Sequence, residues 1–366
     1  MKKILFIILS LSSIIGNAQK LDAQLKSEKE IIDEFSKANN NAGVLVLIGR
    51  DDNIFTYTSG YSNLEKKTPV NENDLFEIGS ASKIFTAIAI LQLIEEGQLS
   101  LKTKLNTIYP KENITSLANY KGTNYWEQAT VEMLLNHTSG FIDYLNIYES
   151  DEEALKVFGN SNKDYAFDEI IKLAIDHGDA NFIPGKMFKY SNTNYIILGD
   201  IISKISKMPW RTYIEKNIFE KAGLKMTFFG SRMSPENKKM LISGYYGTQV
   251  TTMPYTLAGS AGEIVSNIYD LRKLLIYWAK GKFYKSPETF KKQISTGLHN
   301  MFPQTDTYKY ALGAMIISET AGHGGQTFGF QSYLAINPKT KDVYVIGINN
   351  ANVASMQLFF ELNKKN

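Results

Sequence analysis

Apolar residues along the chain fall into three patterns, and each predicts a different element. Leu25, Ile31, Ile32 and Phe35 recur at helical spacing through the otherwise polar stretch Gln19 to Asn41, which predicts an amphipathic surface helix. Two short apolar runs, Ala42 to Gly49 and Ile54 to Gly60, flank Asp51-Asp-Asn53 and predict a β-hairpin. A matching pair, Phe330 to Ile336 and Asp342 to Ile348, flanks Asn337-Pro-Lys-Thr-Lys341, and a terminal helix is expected after Asn350. The third pattern is unbroken. From Ile84 to Ile94 the chain is almost wholly apolar, with Gly97 just beyond, which predicts a core helix closed by a glycine. Helical stretches follow at Val131 to Leu135, Phe167 to Ile175, Tyr195 to Ile205 and Trp210 to Ala222, joined by long loops. Strands at both ends with helices between predict an α+β fold: an antiparallel sheet built from both termini and flanked by helices, with a mainly helical second lobe.

The head of the predicted core helix carries the chemistry. Ser80-Ala-Ser-Lys83 is the only Ser-x-x-Lys in the chain, and residues three apart share a helix face. A serine hydroxyl is a poor nucleophile until a base takes its proton. Lysine can be that base once burial lowers its pKa from about 10.4. Two further motifs stand far away in sequence. Tyr190-Ser-Asn192 follows the turn Pro184-Gly185 and precedes an apolar helical run, unlike Tyr61-Ser-Asn63 and Tyr144-Leu-Asn146. His323-Gly-Gly325 opens the closing hairpin and is the only His-x-Gly. Two lobes would bring these motifs together in the cleft between them, where substrate pockets usually lie.

Phe76-Glu-Ile-Gly-Ser-Ala-Ser-Lys83, Leu134-Leu-Asn-His-Thr-Ser-Gly140, the Tyr190 segment, His323-Gly-Gly325 and, more weakly, Ala258 to Ser266 with Asp270-Leu271 occur together in one order. In this the chain resembles the class C β-lactamase and penicillin-binding-protein-like serine hydrolases, a family that includes D-aminopeptidases and esterases. The resemblance runs from about residue 30 to near the C-terminus and implies a β-lactamase/DD-peptidase-like fold. It implies catalysis by Ser80 as nucleophile, Lys83 as base and Tyr190 as proton carrier, with Asn192 orienting Lys83 and the substrate carbonyl. The oxyanion hole would be the amides of Ser80 and Gln326, with Gly324 and Gly325 allowing close approach. His137-Thr-Ser-Gly140 and Gly259 to Gly262 are expected to be structural. His323 departs from the lysine of Lys-Thr-Gly that β-lactamases and D-Ala-D-Ala peptidases carry. The expectation is that His323 takes that substrate-binding place and lends a carboxylate-bearing substrate a cation only at low pH. The leading reading is an ester or D-amino-acid amide hydrolase. A β-lactamase or D-Ala-D-Ala carboxypeptidase and a non-catalytic cell-wall-peptide binder remain alternatives.

Composition narrows the setting. Lys2 and Lys3, the apolar run Ile4 to Ile15 and Gly16-Asn-Ala18 form a signal peptide over residues 1–18, implying export to a periplasm or beyond. By length alone the remaining residues could make two domains; the family resemblance implies instead one catalytic domain over 19–366, its sheet lobe about 19–82 plus 258–366 and its helical lobe about 83–257. Removing the leader takes the formal net charge from +3 to about +1, a balance that argues against nucleic acid as partner. The chain has no cysteine, which excludes disulfides, thiol catalysis and a lipoprotein cysteine anchor. No apolar run is long enough for stable membrane insertion. His137, His177, His299 and His323 show no metal-ligand spacing, and no phosphate loop is present, so no metal or cofactor is expected. The partner is a small molecule or peptide, and oligomeric state is left open.

Overall fold

The computed structural model describes residues 23–50, 53–145 and 150–364; the predicted leader lies outside them. Eight antiparallel strands form one sheet in the order His299–Asn300, Tyr308–Tyr310, Met315–Ile317, Thr320–Gln326, Gln331–Ile336, Val343–Ile348, Val44–Arg50, Asn53–Ser59. The first hairpin therefore docks on the last strand, in the register Val44↔Ile348 through Gly49↔Val343.

Both faces of this sheet are covered, which explains why Val44-Leu-Val-Leu-Ile48 is continuously apolar rather than alternating. Successive side chains on a strand point to opposite faces. Leu45, Leu47, Leu334, Val343 and Val345 accordingly pack into the main core with the central helix and the helix Ile268–Ala279. Val44, Val46, Ile48, Tyr333 and Ile346 face the other way, onto Ile32 and Phe35 of a helix over 23–38 and Leu358, Phe359 and Leu362 of the helix Ser355–Asn363.

The central helix runs Lys83–Glu95, with Gly97 left-handed just past it. Its residues from Lys83 through Leu93 are all buried. Fully burying side chains such as Ile84, Phe85 and Leu93 contributes roughly 1.5–3 kcal/mol each, so this helix is a main anchor of the core. The helix Asn192–Ser206 packs against it, and the helices Val131–Leu135 and Phe167–Asp176 pack in turn on Asn192–Ser206. No helix among the described residues is long and apolar enough to cross a membrane.

Candidate active site

The central helix is entered through a single 3₁₀ turn, Gly79–Ser82, which ends where Lys83 begins the helix proper. Gly79 has φ +50°, and a Cβ on it would lie 2.6–2.8 Å from the backbone of Gln326. A Cβ on Gly325 would sit 1.9 Å from the carbonyl oxygen of Ile78, which also accepts a hydrogen bond from Ser332 Oγ at 2.8 Å. Glycine at both positions is therefore a packing requirement. It lets the strand Thr320–Gln326 lie against the Ser80 turn, so the peptides of Ser80 and Gln326 become neighbours.

Lys83 is completely buried, and its amine meets three oxygens: Asn192 Oδ1 at 2.7 Å, Ala261 O at 2.9 Å and Ser80 Oγ at 3.0 Å. Burial disfavours the ammonium and brings its pKa down to about 7, against an opposing pull from the Asp143 charge. A lysine so placed is partly neutral at physiological pH and within reach of the serine proton.

Asn192 is the first residue of the helix Asn192–Ser206. Its backbone N–H and Nδ2 both donate to Asp143 Oδ2, at 3.1 and 2.9 Å. Tyr190, two residues earlier, is held by His137. Lys189 N–H donates to the His137 carbonyl at 3.0 Å and Ser191 N–H donates to His137 Nδ1 at 3.2 Å, while the two rings lie 4.2 Å apart. The structural role expected of His137-Thr-Ser-Gly140 thus has a specific content: His137, itself left-handed at φ +59°, brackets Tyr190. Tyr190 Oη is buried with no hydrogen-bond partner of ordinary length among the described residues, and Lys83 Nζ lies 5.0 Å from its ring centre. Burial pushes the phenol well above 10, with only the nearby Ser80 hydroxyl favouring ionisation. Tyr190 is a phenol at neutral pH, and Lys83 is the accessible base.

His323 departs from its expectation. Its side chain is fully buried, with Nδ1 donating to Gly324 O and Nε2 accepting from Tyr310 Oη at 2.9 Å. Both ring nitrogens are used while the ring stays neutral. Burial, followed by the nearby Lys83 charge, brings its pKa down to about 3. It therefore offers no cation to a substrate carboxylate in the ordinary pH range, and the low-pH gain expected from the sequence is withdrawn. Its contribution is to anchor the strand that carries Gly325 and Gln326.

Two cavities meet at Ser80, Tyr190 and Gln326. One, of about 230 Å³, is lined further by Asn192, Leu145, Met253 and Phe328. The other, of about 520 Å³, is lined by Phe188, Met301, Phe302, Met315 and Met356, with Lys189 the one charged side chain among the described residues around it. Asp143 and the Ala261 carbonyl are the site groups that sequence reasoning missed. Asp143 lies three residues beyond Gly140 of the His137-Thr-Ser-Gly140 motif, and a backbone carbonyl has no signature in the sequence.

A serine hydroxyl beside a buried, partly neutral lysine, on this fold, defines a class: serine hydrolases that use lysine where others use histidine. The chain belongs to the Beta-lactamase family, whose model matches residues 29–356. It is 32% identical to penicillin-binding protein 4* of Bacillus subtilis over 207 residues, covering 56% of this chain and 42% of that one. It spans 61% of the Staphylococcus aureus protein flp, so it is shorter than both of these relatives. In structure it is similar to a D-stereospecific amidohydrolase from Streptomyces (TM-score 0.77, 22% identity, 92% of this chain and 97% of that one). It is also similar to the D-amino acid amidase of Ochrobactrum anthropi SV3 (TM-score 0.78, 22% identity, 94% and 99%). At that identity the two structures speak for the fold.

Proposed function

We propose that this protein is an exported serine hydrolase that cleaves an ester or a D-amino-acid-containing amide through an acyl-enzyme on Ser80. The observation that carries the reading is the 3.0 Å contact between Lys83 Nζ and Ser80 Oγ, with the lysine pKa brought to about 7. Neutral Lys83 takes the hydroxyl proton as Ser80 Oγ bonds to the substrate carbonyl carbon. The Ser80 and Gln326 amides receive the oxyanion. As the carbonyl re-forms and the leaving group departs, Tyr190 gives the leaving group a proton and is restored by the one Lys83 took. Water then attacks the ester by the same route in reverse.

The substrate branch rests on His323 and the larger cavity. A buried neutral imidazole and a wall of methionine and phenylalanine favour a largely apolar substrate group there, with the exposed Lys189, hydrogen-bonded to Asn181, the one cation among the described lining residues. The structural neighbours named for D-amino acid amides support the amide arm. The test is intact-protein mass and turnover with p-nitrophenyl acetate, D-phenylalanine amide and a penicillin in turn. Ester or D-amide turnover with slow or no penicillin turnover supports the reading. Efficient penicillin turnover would replace it with a β-lactamase or carboxypeptidase, and absence of any acylation with a binder. Export is tested by the N-terminus of secreted material, expected at Gln19 after cleavage behind Ala18.

A further inference from the structure

Asp143 is a buried carboxylate, and burying a carboxylate costs free energy unless its lone pairs are well satisfied. Leu145 N–H donates to Oδ1 at 3.0 Å, and Asn192 N–H and Nδ2 both donate to Oδ2. An ionised carboxylate can only accept, so the Asn192 amide must turn its NH₂ toward Asp143. Its oxygen is then left facing Lys83 Nζ at 2.7 Å. One acid thereby fixes which end of an amide the catalytic lysine sees, and its charge acts on that lysine through the same amide.

The surroundings leave Asp143 in a distinctive position. Around Lys83 lie the Ser80 hydroxyl, the Ala261 carbonyl, and the rings of Tyr190 and Tyr195 at 5.0 and 5.4 Å. The nearby imidazoles His137 and His323 are both held neutral by burial. Asp143 supplies the negative charge that acts on the amine; burial raises its own pKa, and the Leu145 and Asn192 hydrogen bonds and the Lys83 charge oppose that rise. We infer that Asp143 is a positioning residue for the proposed reaction, orienting Asn192 and balancing the ammonium that Lys83 becomes when it takes the Ser80 proton. The inference rests on the proposed function, in which Lys83 is the base.

The experiment is the rate of fluorophosphonate labelling of Ser80, followed from about pH 5 to 10, for the parent, Asp143→Asn and Asp143→Glu, each checked for folding by circular dichroism. In Asp143→Asn the charge is lost and the amide can turn. The acid limb should move lower by about one pH unit, and the plateau should fall by at least about tenfold. In Asp143→Glu the charge is kept but displaced by one methylene. The limb should stay within about 0.3 unit of the parent while the plateau falls. A role limited to packing would lower the amount of folded protein without moving the limb. An unshifted limb in folded Asp143→Asn overturns the inference. If that variant does not fold, Asp143→Glu decides: a lowered plateau on the parent limb upholds the inference, and a parent plateau overturns it. A parent protein unlabelled at Ser80 defeats the proposed function itself and takes the Asp143 inference with it, whereas labelling at Ser80 with no change in either variant defeats the inference alone.

Discussion

Two nitrogen bases are buried beside Ser80, and their surroundings give them opposite fates. Lys83 and His323 are both fully removed from solvent, and burial lowers both pKa values. Lys83 meets three oxygens, one of them the hydroxyl it can deprotonate, and the Asp143 charge restrains its shift so that it stops near 7. His323 spends its two nitrogens on Tyr310 and Gly324, has no carboxylate partner among the described residues, and falls to about 3. Burial alone does not make a catalytic base. The base is made by an acceptor set that tolerates both protonation states and includes the proton's source.

The comparison can be broken most sharply at Lys83. Lys83→Arg keeps a cation but has no accessible neutral form. Acylation should fall at least about a hundredfold, the usual scale for losing a general base, and stopped-flow ester kinetics would show it. A variant within a few-fold of the parent would reduce Lys83 to a structural charge. Next in size, Tyr190→Phe should lower ester or amide turnover by about ten- to a hundredfold. Fluorophosphonate labelling should suffer less, because fluoride needs less help than an alkoxide or amine to leave. Equal losses in both assays would count against a role in leaving-group protonation.

The smallest effect is at His323 and concerns stability. Its folded pKa lies below the unfolded value of about 6.5, so below that pH the unfolded chain binds a proton that the folded chain refuses. Stability should therefore fall as pH drops from about 6.5 toward 3. His323→Gln should remove part of that fall, on the order of 1–3 kcal/mol by denaturant titration at about pH 4 against 7. The same fall in parent and variant would show that the ring is not held neutral. His323→Lys should not improve carboxylate-bearing substrates, because the new ammonium would be buried against Tyr310 rather than offered to the cleft.

Where the signal is local, the sequence is a faithful guide. Ser80 and Lys83 meet because one helical turn brings residues three apart together, and the two hairpins pair because each is a run with its own turn. The fate of His323 is a matter of strand parity: it lies opposite Leu334 and on the same face as Ala321, both in the main core. Motif matching ignores that parity, which is why a ring held neutral by the core reads as a cation for the substrate. The three short strands between His299 and Ile317 have too few residues to show a period. Ile268, Leu271, Leu274, Leu275 and Trp278, by contrast, have clear helical spacing, a usable signal for the helix Ile268–Ala279 that the lobe division overlooks. Asp143 has no such signature, because its role depends on a contact made 49 residues away, at Asn192.

The central claim is that Lys83 presents a neutral amine to Ser80 near neutral pH. It is tested most directly by reacting the parent protein with a fluorophosphonate across the pH range and locating the adduct by peptide mass spectrometry. One adduct per chain is expected, on Ser80, absent in Ser80→Ala, with a rate that rises through a pKa of about 7. An adduct on another serine, or a rate that keeps climbing to an ordinary lysine pKa near 10.4, would contradict the account.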